Sequence, residues 1–363
     1  MHFTRRQFLQ KLAAGSALVA FPSLSGFSRI LSLDDTRKLG IALVGLGGYA
    51  SERLAPALKE TTRCYLAGVV TGTPQKAEQW KKQYALPERN VYSYDTFDQI
   101  ADNPSIDVVY IVLPNSMHHD FVLRAAAAGK HVICEKPMAL SVKECRAMIA
   151  ACKAAGVRLF VGYRLHFDPY HRAARQFRKT DVGAITQVEA ELAFTIGDPS
   201  QWRLRESLAG GGAMMDLGIY LIQAARYATG EEPVTVTATE EKTDPVKFKD
   251  VDETVRWQMD FPGGAVAHCV ASYTQSLDRL HIEAERGWFE LQPAFGYAPI
   301  KGRTHEGELH LPLVNQQAAQ MDEFARCIIE GAESDAEGEE GLRDIKVIEA
   351  IYKSIASKTT VEV

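Results

Sequence analysis

The chain of 363 residues lacks several features that would each have named a function class. No apolar run approaches the length of a membrane span. No dense stripe of lysine and arginine accompanies its net charge of -5, so neither nucleic acid nor an anionic membrane finds an electrostatic footprint. The six cysteines stand at 64, 134, 145, 152, 269 and 327, without the close paired spacing of a zinc site. Cys145 and Cys152 fall on the apolar stripe Val142, Cys145, Met148, Ile149, Cys152, which predicts free, buried thiols. His118 and His119 adjoin on a turn and make no convincing metal pair, and no internal repeat or low-complexity segment is present. A small-molecule substrate and no metal are the expectations that remain.

What is present begins with Thr4-Arg5-Arg6-Gln7-Phe8-Leu9, then a modestly apolar stretch from Leu12 to Phe21 and small residues from Ser23 to Gly26. That layout is a cleavable twin-arginine signal, and residues 1–30 are set apart from fold reasoning. The twin-arginine machinery moves folded proteins. A periplasmic destination is therefore expected, with any nucleotide cofactor loaded before transport and then retained.

Two patterns divide the rest. From Gly40 to about Tyr163, apolar runs at Ile41 to Val44, Tyr65 to Val70, Val108 to Leu113, His131 to Cys134 and Leu159 to Val161 predict parallel strands buried on both faces, with helices between them. Ser141 and Glu144 form a capping box for one such helix. This is a doubly wound α/β Rossmann domain over 38–163. From about Gly183 the period becomes two, as in Val188, Ala190, Leu192 and Phe194 or Val255, Trp257, Met259 and Phe261. Residues 164–363 are thus an α+β domain for substrate binding and oligomerisation, with an open, mainly antiparallel sheet and helices near 213–228, 320–330 and 340–357. Its one uncovered face favours a homo-oligomer.

Gly45-Leu46-Gly47-Gly48-Tyr49-Ala50 follows the first strand and opens a helix, which is the context a dinucleotide loop needs. Its glycines let backbone N–H groups approach a pyrophosphate at the positive end of the helix. Pro56 within that helix predicts a kink. The second strand ends in Thr71-Gly72-Thr73-Pro74-Gln75-Lys76, without the carboxylate that binds the ribose hydroxyls of NAD. Thr71 as a donor and Lys76 as a charge suit the 2′-phosphate of NADP; the alternative for Lys76 is a solvated helix lysine. The strand His131 to Cys134 runs into Glu135-Lys136-Pro137 at the ligand-binding edge, where Lys136 either meets nicotinamide and substrate or pairs with Glu135. The run Gly210 to Tyr220 opens a helix that presents Asp216 and Tyr220 four residues apart on one face. Trp202, Arg203, Tyr163 and Arg164 either line a sugar pocket or pack between domains.

With Leu113-Pro114-Asn115-Ser116-x-His118, Gly162-Tyr163-Arg164-x-His166-x-Asp168-Pro169 and Gln201-Trp202-Arg203-Leu204-Arg205 added, the chain resembles the Gfo/Idh/MocA oxidoreductases over nearly all of its length after residue 39. The glucose-fructose oxidoreductase branch, exported with tightly held NADP, is the nearest in pattern. The resemblance implies Lys136 and Tyr220 as the catalytic pair, Asp216 positioning the sugar, and Thr71 and Lys76 on the NADP phosphate. It places Gly45, Gly47, Tyr49, Ala50, Leu113, Asn115, His118, Glu135, Lys136 and Arg164 around the cofactor, and Tyr163, Trp202, Arg203, Asp216 and Tyr220 around the substrate. Many relatives have histidine at the position of Tyr220. That branch also carries a long proline-rich arm before the first strand, where this chain has only Leu31 to Leu39 and a little more, so arm-mediated cofactor burial and tetramer formation are not implied. The implied reaction oxidises an aldose at C1 to the lactone and reduces a second sugar carbonyl, with a phenol beside an ammonium ion exchanging the proton.

Overall fold

A computed structural model describes residues 37–363, and the twin-arginine segment lies outside them. Six parallel strands form the first sheet: β1 (Leu39–Val44), β2 (Cys64–Val70), β3 (Val91–Tyr92), β4 (Val108–Ile111), β5 (His131–Cys134) and β6 (Leu159–Val161). They lie in the order β3-β2-β1-β4-β5-β6. Strands β1, β4 and β6 are buried along their whole length, as their unbroken apolar runs require. The order reverses between β1 and β4, which opens a crevice at the carboxyl edge of the sheet.

The helix Val142–Ala154 starts where Ser141 accepts the N–H of Glu144 at 3.2 Å. The Glu144 carboxylate accepts the N–H of Leu140 at 2.9 Å, one residue upstream of the capping-box expectation. The irregularity expected at Pro56 is a wide π-turn over Ala50–Leu54 that precedes an α-turn at Ala55–Leu58. Proline has no N–H to return to the preceding turn and its ring crowds the carbonyl there, so the helix loosens ahead of it.

The second sheet contains β7 (Ile185–Ala193), β8 (Thr235–Glu241), β9 (Thr254–Asp260), β10 (Val266–Ser272), β11 (Leu277–Ala284), β12 (Gly287–Leu291), β13 (Gly302–Thr304), β14 (Gly307–Leu309) and β15 (Val361–Glu362). Its order is β14-β13-β12-β11-β7-β10-β9-β8-β15. The sheet is mixed: β7 and β10 run parallel and the other neighbours antiparallel. Alternation marks which side of a strand is buried but not which way its neighbour runs. Val188, Ala190, Trp257, Met259 and Cys269 face inward, and the helices Ile219–Thr229 and Gly338–Ser357 pack on the sheet. Arg256 and His268, on the opposite face, are exposed. All six cysteines are buried and free. Among the described residues, no helix is long and apolar enough to cross a membrane, and no group of His, Cys, Asp or Glu gathers as metal ligands would.

Candidate active site

The crevice is shaped first by glycine. Gly45, at φ +95°, turns the chain out of β1 so close to β4 that a Cβ would stand 2.5 Å from the Val112 carbonyl oxygen. Leu113 packs beside it. At Gly47 the reason is different: a Cβ there would meet no protein atom within 4 Å. The open space lies before the helix N-terminus, where a pyrophosphate is held. Ala50 is wholly buried behind it, and the Tyr49 hydroxyl accepts from Gln317 Nε2 at 3.3 Å. Burial pushes the Tyr49 phenol well above its ordinary range, so it stays neutral. Thr71 is buried, and its hydroxyl oxygen accepts the N–H of Thr73 at 3.2 Å, which leaves its own proton to donate. Lys76 reaches back to the Leu46 carbonyl at 3.2 Å, so its charge rests against the glycine loop. These residues fit a nicotinamide dinucleotide.

At the far end of the crevice, β5 delivers Lys136. Its ammonium donates to the Asp216 carbonyl at 2.8 Å and to Asp216 Oδ1 at 3.0 Å, and stands 4.7 Å from the centre of the Tyr220 ring. The other carboxylate oxygen of Asp216 accepts from Arg203 Nε at 3.0 Å and from the Tyr273 hydroxyl at 3.1 Å. Burial opposes the Asp216 charge, yet the two cations beside it hold the carboxyl down at about 2. Burial likewise opposes the Lys136 charge, and Tyr220 and Asp216 outweigh it, holding the ammonium above its ordinary value. The helix bearing these groups is seated by Asp252, which accepts the N–H groups of Gly212 and Met214 at 2.7 Å each. A Cβ at Gly212 would fall 1.9 Å from the Asp252 carbonyl oxygen, which accounts for glycine there. A wide turn over Met214–Gly218 then passes into Ile219–Thr229 and brings Asp216 and Tyr220 to the same ammonium.

Glu135 does not pair with the Lys136 side chain. Its Oε1 accepts from the Tyr110 hydroxyl at 2.6 Å, and Tyr110 accepts from Gln320 Nε2 at 2.7 Å. Burial raises the Glu135 carboxyl above its ordinary value. Arg164 is buried and donates to Gln316 Oε1 and to the Phe295 carbonyl. Its guanidinium carbon lies 5.3 Å from the centre of the Tyr220 ring and 4.4 Å from that of Tyr297. Arg203 stacks on Trp202 at 4.7 Å, which puts both at the Asp216 side of the cleft.

Two residues, Tyr163 and His118, stand elsewhere than the sequence implied. Tyr163 is buried in the core, and its hydroxyl donates to Asp344 Oδ2 at 2.6 Å, away from any sugar pocket. A buried phenol needs a partner, and Asp344 supplies it. His118 is wholly buried, with Nδ1 2.9 Å from the Pro137 carbonyl oxygen and Nε2 2.9 Å from that of Leu113. It ties the turn after β4 to the turn after β5 and has no ring nitrogen left for ribose or amide. Asn115 donates to the Ala209 carbonyl at 2.8 Å and so joins that same turn to the start of the glycine run. Conversely, Tyr273 and Tyr297 went unnoticed in the sequence. Tyr273 directly follows β10, and Tyr297 stands between Gly296 and Ala298 in the loop from β12 to β13, outside every motif.

Family models match two stretches of the chain: residues 39–163 match an oxidoreductase family with an NAD-binding Rossmann fold, and residues 170–290 match the GFO/IDH/MocA C-terminal domain. The chain belongs to the Gfo/Idh/MocA oxidoreductase family. A D-xylose 1-dehydrogenase (NADP(+)) of Haloarcula marismortui is 32% identical over 337 residues, covering 88% of this chain and 92% of that protein. The crystal structure of aldose-aldose oxidoreductase from Caulobacter crescentus, complexed with glycerol, is 45% identical with a TM-score of 0.88, covering 90% of this chain and 100% of that one. Levoglucosan dehydrogenase in complex with NADH and levoglucosan shares the fold at 23% identity and a TM-score of 0.77, over 90% of this chain and 100% of that one. This family member is therefore an enzyme, an oxidoreductase with an NAD-binding Rossmann fold over residues 39–163.

Proposed function

We propose that the protein is an NADP-dependent sugar oxidoreductase that oxidises an aldose at C1 to the lactone and reduces a second sugar carbonyl on the same retained nucleotide. The observation that carries this reading is Lys136, paired with Asp216 and set 4.7 Å from the Tyr220 ring at the nicotinamide end of the crevice. The relatives named for xylose and aldose oxidation support the sugar class, and the xylose relative is named for NADP. Thr71 and Lys76, with no carboxylate at the end of β2, favour the 2′-phosphate.

Bound nicotinamide supplies the acceptance and return of hydride. Asp216 and Arg203 orient the sugar hydroxyls, and Lys136 holds positive charge beside the reacting oxygen. As C1–H leaves with its electron pair, Tyr220 takes the proton from the C1 hydroxyl, so the sugar loses one hydride and one proton. When a second sugar carbonyl is reduced, Tyr220 gives the proton back to the new alkoxide oxygen. Export through the twin-arginine machinery to the periplasm, where nucleotide is not supplied, gives retention its purpose. A homo-oligomer formed through the uncovered face of the second sheet belongs to the same reading.

The test is spectroscopic. The purified protein, without added nucleotide, should gain reduced-nicotinamide absorbance with one aldose and lose it with a second sugar. The relative named as a dehydrogenase favours a second reading, an ordinary NADP-dependent sugar dehydrogenase. Substoichiometric nucleotide in the denatured supernatant, with activity strictly dependent on added NADP, would establish that one instead.

A further inference from the structure

We infer that Tyr297 is a cofactor-retaining residue: its ring closes the cleft over the dinucleotide by bridging Arg53 and Arg164. The inference rests on the proposed retention of nucleotide and names the residue that performs it. The loop between β12 and β13 is held stiffly at its base. Asp278 accepts the N–H groups of Ala294 at 2.8 Å and Phe295 at 2.6 Å on one carboxylate oxygen, and that of Gly296 at 3.0 Å on the other. His171 Nε2 lies 2.8 Å from the Ala294 carbonyl oxygen, and Ala294 and Phe295 are buried. From this base the loop projects Tyr297, which is 52% exposed although it is a large aromatic residue.

The ring lies between two cations. Arg53, in the first turns after the glycine loop, has its guanidinium carbon 4.3 Å from the ring centre. Arg164, beside Tyr220, has its own at 4.4 Å. Tyr297 thus ties the phosphate end of the crevice to the nicotinamide end from a loop of the other lobe. Arg164 is suited to this part, because among the described residues no carboxylate lies within ion-pair distance of it and its buried Nε has no partner. A buried cation without an anion is costly unless a π-face or a ligand completes it. Gln317 on Tyr49 makes a second tie at the glycine loop. A cavity of about 430 Å³, lined in part by Arg53, Pro56, Gly296, Tyr297 and Gln317, gives the ring room to swing aside without displacing packed side chains. On this inference a dinucleotide running from Gly47 to Lys136 enters and leaves past this ring.

The experiment measures release of NADPH from the holoprotein by loss of its fluorescence on dilution into excess unlabelled NADP. Tyr297→Ala should release it faster by about 10-fold or more, Tyr297→Phe at nearly the native rate because the π-face remains, and Arg53→Gln in between. Thermal unfolding of the apoproteins, expected to be unchanged at this half-exposed loop tip, separates release from misfolding. Equal release rates for Tyr297→Ala and the native protein would overturn the inference. Native protein that loses its nucleotide on gel filtration, while the ratio of release rates stands, would remove the retention reading and leave the clasp.

Discussion

One helical segment serves two polar clusters that share their chemistry and differ in access. At its start, Asp216 gathers Lys136, Arg203 and Tyr273 in the cleft, with Arg203 about one-third exposed. Nearly three turns on, Arg226 binds Glu340 at 2.7 Å and Asp344 at 2.6 Å, and Gln223 and Tyr163 donate to the same Asp344, all of them buried. The cleft cluster keeps a phenol, Tyr220, beside its charges, with the Lys136 ammonium 4.7 Å and the Arg164 guanidinium carbon 5.3 Å from its ring centre. In the sealed cluster each charged group ends on another protein group. Access next to a charged cluster therefore marks the site that has work to do, whereas burial with mutual satisfaction marks the one that holds two helices together.

Substitutions should separate the two. Arg226→Met leaves Asp344 and Glu340 without their cation and should cost about 3–5 kcal/mol of stability, roughly 10 °C in unfolding temperature, while turnover per folded molecule stays near native. Scanning calorimetry with activity at low temperature checks it, and a large fall in turnover at unchanged stability would erase the distinction. Tyr220→Phe should do the reverse, lowering both half-reactions by roughly 10² or more with NADP still bound and unfolding unchanged. Near-native turnover would move proton transfer to another group.

Asp216 sharpens the contrast through pH. Its folded carboxyl sits near 2 against an ordinary 3.8, so its pairing contributes stability that is fully present above about pH 4 and is lost as pH falls through about 2. Urea unfolding of the native protein and Asp216→Asn should differ by roughly 2 kcal/mol at pH 6, and the gap should narrow by pH 3. A gap independent of pH would mean that the ion pair contributes nothing. The smallest effect is expected at the nucleotide's other end, where Thr71→Asp should shift the ratio of NADP to NAD affinity by about 10-fold toward NAD, by charge repulsion. Paired fluorescence titrations measure that ratio.

Periodicity carried most of the fold: the bounds of β5 and β6 agree with the apolar runs at His131 to Cys134 and Leu159 to Val161 residue for residue. It could not carry direction, which is why the parallel pairing of β7 with β10 was missed, nor strands of two or three residues such as β3 and β13. Motifs brought Lys136, Asp216 and Tyr220 together. They misplaced Tyr163: it and the adjacent Arg164 leave one tight turn in different directions, Tyr163 into the sealed cluster and Arg164 toward the cleft. Which way each points is decided by Asp344 and Phe295, more than 120 residues further on, and no local pattern contains that.

The emptiness around Gly47 has an evolutionary reading. Its φ is not in the left-handed region and a methyl group there would touch nothing in the protein, so alanine would leave the apoprotein intact and even stiffen its unfolded chain slightly. Selection acting on folding alone would be blind to this position, and a lineage that no longer needed the nucleotide would be free to lose the glycine first, while still making a soundly folded shell of the enzyme.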